Sequence, residues 1–297
     1  MDIRQFRYFI TVAELLHFSR AAEVLGITPP SMTKQIQEIE RDLGVRLFQR
    51  TKRMVRLTAA GAIFLDEARR VVAQAERAEE AARRAGRGEL GHIEIGYVAS
   101  TAFADVLQTQ IRTYRAACPD VQVNCREIVM ERLPAMLDEG QIDIAFLRPP
   151  IGYPPGIRSV TLLRDPFVVA LHAGHALASH ERIQPRDLSG ETFILPEQEA
   201  GTMEMARRGG FEPKLGPRPG SLVAVVTLVS LGGGTAIIPA SLFRAVNLPN
   251  VVVRDLTGPP ILSEIAAAFR LSEAAPATLT LIAQLRAAGR ELKGANN

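Results

Sequence analysis

Pro30, Lys34, Gln37 and Arg41 recur at intervals of four, three and four, the spacing that puts side chains on one face of an α-helix. Met32, Ile36, Ile39 and Leu43 take the other face. With Ser31 and Thr33 alongside, the polar face offers hydroxyls, an amide and cations. These groups suit hydrogen bonding to base edges and attraction to phosphate, and they need no nucleophile or acid–base pair. Arg50, Lys52 and Arg53 follow shortly after. As a basic group they either reach phosphates beside the groove or form a solvated hairpin tip.

The elements that must hold this face are marked by their punctuation. Ala21, Ala22 and Leu25 give a short preceding helix an apolar stripe, and Gly26 suits the left-handed turn that ends it. Thr28 stands where an N-cap belongs, with Pro29 and Pro30 just inside the next helix, where a missing N–H costs nothing. Ile3, Phe6, Phe9, Ile10, Ala13 and Leu16 make an amphipathic opening helix able to roof the pair. Val45, Leu47 and Phe48 alternate as a strand, and residues 54–57 return as a second one. Residues 1–58 therefore read as a winged helix-turn-helix, which presents a recognition helix to the DNA major groove.

Charge supports this placement. Residues 1–60 carry ten cationic side chains against six acidic ones, while the whole chain of 297 residues is only +3. The excess cation sits at one end, the electrostatic footprint of a nucleic-acid contact. Asp2, Arg4 and Arg7 interrupt any apolar leader, and runs such as 222–228 fall far short of the ~20 residues a membrane helix needs. Cys118 and Cys125 flank the start of a strand and read as buried, reduced thiols rather than a disulfide. The expectation is a cytoplasmic protein with no membrane partner.

A long helix follows Thr58, with a hinge at residues 87–91. Gly61, Phe64, Ala68, Val71, Ala75, Ala78, Ala82 and Ala85 repeat at three- and four-residue steps, an a/d seam of about three heptads. The seam either joins two copies of the chain or packs on its own domain. A DNA reader that needs two half-sites favours dimerisation through Phe64, Ala68, Val71, Ala75, Ala78 and Ala82, over a linker of residues 59–89.

Residues 18–40, the run 44–50 (Gly-Val-Arg-Leu-Phe-Gln-Arg) and the run 57–61 (Leu-Thr-Ala-Ala-Gly) together resemble a LysR-type transcriptional regulator, and the similarity runs through the whole chain. The resemblance implies promoter DNA as partner, self-association as a dimer and commonly a homotetramer, and a C-terminal effector domain. For an activator it also implies RNA polymerase as partner. Thr33 and Lys34 match the usual hydroxyl and basic positions, whereas Pro29 replaces a common glutamine and removes a donor.

Beyond the hinge, strands and helices alternate: strands at 93–98, 121–128 and 142–147, helices at 102–116 and 133–139. A second set has strands at 167–171, 193–195 and 236–239, a helix at 222–231, then a strand at 265–269 and a final helix at 277–292. This predicts an α/β domain over 90–297 with a largely parallel sheet. The resemblance implies two lobes like those of periplasmic binding proteins, one of about 90–162 plus 268–297, the other of about 163–267.

Ligands lie between such lobes, at strand C-termini and helix N-termini. Ser100 and Thr101 follow the first strand and either hold a carboxylate or cap the helix. The resemblance favours Ser100 as a ligand contact. Met130 takes the analogous place after the second strand, where several relatives carry Thr or Ser, and suits an apolar or aromatic ligand portion. Arg148 ends the third strand and either meets an organic acid or pairs with an internal one. Pro196 and Glu197 face the same cleft from the second lobe. Residues 197–210 are short for the helix that most relatives place there, which predicts a short or frayed one.

An enzyme or a solute-binding protein using the α/β half is the competing reading. No cofactor motif or metal-ligand set stands in its favour: His172, His175 and His180 lack a partner at ligand spacing and read as turn residues. Gly232–Gly234 lacks the Lys-Ser/Thr of a phosphate loop and reads as a helix terminator.

Overall fold

The computed structural model describes residues 1–51, 54–196 and 198–294. The chain forms two units, Met1–Arg84 and a second from Ala85 onward.

In the first unit, α1 (Ile3–Leu15), α2 (Phe18–Val24) and α3 (Pro29–Leu43) precede an antiparallel hairpin of β1 (Phe48–Arg50) and β2 (Val55–Leu57). Asp2 closes a capping box on α1, and Thr28 accepts from the Ser31 N–H to start α3. Gly26 and Gly44 carry φ of +66° and +69°, ending α2 and α3 in the left-handed region. Phe9, Met32, Ile36 and Ile39 are fully buried, each contributing about 1.5–3 kcal/mol of apolar burial. Leu16 and Leu43 stand outside this core: both are exposed, at the ends where their helices stop.

α4 (Ala59–Gly86) starts against the same core. Gly61 lies so close to β1 that a Cβ would be driven into the Leu47 carbonyl. Ala68 is fully buried, and the Phe64 ring stands 4.7 Å from Phe9 and 5.8 Å from Phe6. The expected seam is therefore split. Phe64 and Ala68 belong to their own domain's core, whereas Val71, Ala78 and Ala82 are exposed and Ala75 half-buried.

In the second unit, β3 (Gly91–Tyr97), α5 (Ala99–Ala102), α6 (Val106–Ala117), β4 (Val121–Glu127), α7 (Leu133–Asp138) and β5 (Ile144–Leu147) build the first lobe. The single helix expected over 102–116 is broken at Asp105, whose φ is +57°. β6 (Ile157–His172) then runs into the second lobe. That lobe holds β7 (Arg182–Ile183), β8 (Thr192–Phe193), α8 (Ala200–Gly209), β9 (Lys214–Leu215), α9 (Leu222–Ser230), β10 (Ala236–Pro239), α10 (Ala240–Ala245) and β11 (Val251–Leu256). β12 (Leu262–Arg270) returns, and α11 (Pro276–Gly294) packs on β6 and β3 of the first lobe.

Among the described residues the main sheet orders its strands β4-β3-β5-β12-β6-β11-β7, with β10 also on β6. β3 is parallel to β4 and β5, as expected of strands joined by helices. β11 is also parallel to β7, but the central pairings depart from the parallel expectation: β12 is antiparallel to β5 and β6, and β10 and β11 are antiparallel to β6. A chain that leaves one lobe along β6 and comes back along β12 must run the two strands in opposite directions.

Two smaller expectations also change and a third narrows. Of the alternatives for residues 197–210, the frayed one is absent among the described residues: α8 is a regular helix of ten residues closed by Gly210 at φ +71°. Its Gly201 abuts the Phe167 ring, and Met205 and Ala206 are buried, so packing fixes it. The strand expected at 193–195 is only the two residues of β8. Cys118 is buried but Cys125 is exposed, on the edge strand β4.

Because its neighbour is backbone, Gly61→Ala should lower the unfolding free energy by about 2–3 kcal/mol. Urea unfolding of the full chain measures this, and a loss under about 0.5 kcal/mol would mean that the β1–α4 contact yields freely.

Candidate functional site

In the first unit the exposed face of α3 presents Pro30, Ser31, Lys34, Gln37 and Arg41, with Thr33 half-buried at its edge. The opposite face is locked into the core by Met32, Ile36 and Ile39. What sets the wing against α3 is Glu40, a buried carboxylate that the sequence reading passed over. Its Oε1 accepts from the Leu47 and Phe48 N–H groups at 2.9 and 3.0 Å, and its Oε2 from Arg50 at 3.2 Å. Arg50 also lies over the Phe18 ring at 4.4 Å, and burial pulls its guanidinium below its usual range while Glu40 opposes that. Arg50, expected to reach phosphate, is thus paired with Glu40 while its side chain stays partly exposed. Lys52 and Arg53 lie outside the described residues. The signal for Glu40 was available, since it stands four residues after Ile36 on the buried face.

In the second unit a cavity of about 90 Å³ opens where both lobes meet. Ser100, Ile128 and Met130 line it from the first lobe. Phe167, Pro196, Gln198, Ser221, Leu222 and Pro239 line it from the second and its crossover strand. Four expected residues, Ser100, Met130, Arg148 and Pro196, thus come together here. Thr101 does not: it is fully buried and its hydroxyl donates back to the Val98 carbonyl at 2.8 Å, so it neither lines the cavity nor caps the helix. Glu197 lies outside the described residues.

Arg148 lines the cavity but is already partnered. Its Nη2 donates to Asp165 Oδ2 at 2.9 Å and to the Ser100 carbonyl at 3.1 Å, and its Nη1 to Ser263 Oγ at 2.9 Å. Asp165 also accepts from the Ser241 hydroxyl at 2.5 Å and the Ser241 N–H at 3.1 Å. Arg148 is 4% exposed and Asp165 3%. Burial lowers the Arg148 pKa from its ordinary value, and Asp165 counteracts that. Of the two readings of Arg148, the internal pair is the one present, and a free cation awaiting an organic acid is not. Gln198, unforeseen in the sequence, spans the cavity: its Nε2 donates to the Arg148 carbonyl at 2.6 Å and meets Met130 Sδ at 3.3 Å.

The histidines serve local turns, with His172 accepting from the Gly174 N–H and His175 from the Leu177 N–H. Among the described residues no helix is long and apolar enough to cross a membrane.

The geometry of a helix-turn-helix followed by a two-lobed domain is matched by comparison with known proteins. The family model described as "Bacterial regulatory helix-turn-helix protein, lysR family" covers residues 3–62, and "LysR substrate binding domain" covers residues 86–290. The chain belongs to the LysR family of transcriptional regulators. This LysR-family chain is 36% identical over 276 residues to the HTH-type transcriptional regulator AlsR of Bacillus subtilis (strain 168), spanning 91% of this chain and 90% of AlsR. It is 31% identical over 289 residues to the Hca operon transcriptional activator HcaR of Escherichia coli (strain K12), spanning 95% and 96%. Among solved structures, full-length CbnR complexed with its target DNA superposes with a TM-score of 0.86 at 27% identity, over 97% of this chain and 100% of CbnR. Like its family, this LysR-type regulator binds DNA through its N-terminal helix-turn-helix and carries an effector-binding domain; it is a regulator rather than an enzyme.

Glu40→Ala would strand two backbone N–H groups and the Arg50 guanidinium, and should destabilise the first unit by about 2–4 kcal/mol. Glu40→Gln, which keeps an acceptor, should lose less. Equal melting temperatures for wild type and Glu40→Ala would contradict the role of this carboxylate.

Proposed function

We propose that this LysR-family regulator reads a partly palindromic promoter as a homo-oligomer, and that a small monocarboxylate in the interlobe cavity changes how it holds and bends that DNA. The observation that carries the reading is the exposed polar face of α3, set on a chain that matches a DNA-bound regulator along its full length. Pro30, Ser31, Thr33, Lys34 and Gln37 are the groups we assign to the duplex, with Lys52 and Arg53 on phosphates beside it. Arg50 supports them from behind by holding the wing. The exposed stretch of α4 from Val71 to Ala85 supports a dimer, two of which form a tetramer; HcaR's description as an activator favours RNA polymerase as a further partner. Such work belongs in the cytoplasm, where the promoter is.

Size supports a small effector. An apolar cavity of about 150 Å³ takes benzene, so a site of about 90 Å³ is too small for an aromatic ring without opening. Ile128, Met130, Phe167 and Pro239 supply apolar walls, while the Ser100 hydroxyl and the first backbone N–H groups of α9 supply neutral donors for a carboxylate. A ligand touching both lobes shifts their relative pose by as much as its affinity differs between poses.

The test is titration of the full chain against the duplex upstream of its own gene and against a shuffled duplex of equal length. Specific binding should fall steeply with salt, and Lys34→Ala should weaken it by about 1–3 kcal/mol. Equal affinity for both duplexes at fixed salt would overturn the reading.

A further inference from the structure

We propose that Asp165, which stands outside the lining of the effector cavity, sets the charge class of the effector by cancelling Arg148. The inference rests on the cavity being the effector site and concerns which ligands it accepts. Among the described lining residues, the charged groups are Arg148 and Glu127. Asp165 is absent from that lining; it lines a separate concavity with Ser241, Arg164, Arg244 and Asp105. Arg148 therefore lines the cavity while its carboxylate partner, 2.9 Å away, does not.

Three features make this pairing fixed rather than incidental. Both members are more than nine-tenths buried, so water does not screen them. Both oxygens of Asp165 are used, by Arg148 and by the hydroxyl and N–H of Ser241, leaving the carboxylate no freedom to turn away. Arg148 in turn is anchored by Ser263 and the Ser100 carbonyl. The pair nets zero charge, and Glu127 leaves the lining on the acidic side. Such a cavity accepts one carboxylate on neutral donors and disfavours a second negative charge.

The experiment measures acetate and succinate binding to the full chain by isothermal titration calorimetry, in wild type, Asp165→Asn and the Arg148→Gln/Asp165→Asn double variant. Wild type should prefer acetate. Asp165→Asn frees the cation and should shift the succinate-to-acetate affinity ratio toward succinate by about tenfold or more. The double variant has no unpaired buried charge and should fold even where the single one does not. Its succinate-to-acetate ratio should stay within about threefold of wild type, as expected where the cation is already cancelled. An unchanged ratio in Asp165→Asn overturns the proposal, and so does a double-variant ratio shifted toward succinate as far as that of the single variant, which would mean that the freed cation is not what admits the second charge. If wild type binds neither acid, the monocarboxylate reading fails, but the present inference is still decided: succinate binding gained by Asp165→Asn supports it, and none overturns it.

Discussion

β6 runs for sixteen residues, pairing with β12 along its first part and with β10 and β11 along its second. A strand has only two edges, so a single segment shared by two lobes joins their hydrogen-bond networks covalently and by backbone pairing. The register shift between Ile265 and Ala266 on β12 falls in this shared stretch, close to Asp165 and Ser263. The cavity, the buried ion pair and the N-terminus of α10 all meet at this crossover. A change in pose of one lobe must pass through these strands, and a ligand at Ser100 lies one hydrogen bond from the pair that spans them.

The N-terminal unit solves a similar problem on a smaller scale. A hairpin of two three-residue strands has too little pairing to hold itself. It is held from α3 by Glu40 and from α4 by the close approach of Gly61, while the rings of Phe6, Phe9, Phe48 and Phe64, in stacked, tilted and edge-on contacts, fill the space between. The recognition face is exposed because its back is so well committed. Fixing the wing relative to α3 lets a contact at one limit where the other falls on a duplex.

Much of this was readable from local patterns. Thr28 and Gly26 marked helix ends through capping and a left-handed turn, and the apolar positions of α3 gave its buried face. The element order of the second unit followed from alternation of period. What escaped depends on partners far apart in sequence. Arg148 meets Asp165 and Ser241 across the fold, and no spacing along the chain reveals that its charge is cancelled. Gln198 gave no sequence signal as a span across the cavity. Phe64 and Ala68 fit a dimer seam by period alone, but the same positions can face a core, and only three-dimensional packing separates the two. The antiparallel return of β12 was missed because periodicity reports which face a strand buries and not its direction.

The most direct test of the account is DNase I footprinting on the DNA upstream of this gene, with and without acetate and with benzoate and succinate as comparisons. The expected result is a long protected region whose hypersensitive bands move with acetate and stay in place with the other two acids. Protection that ignores all three acids would contradict the coupling of the cavity to the DNA, and bands that move with succinate alone would contradict the cancelled charge at its base.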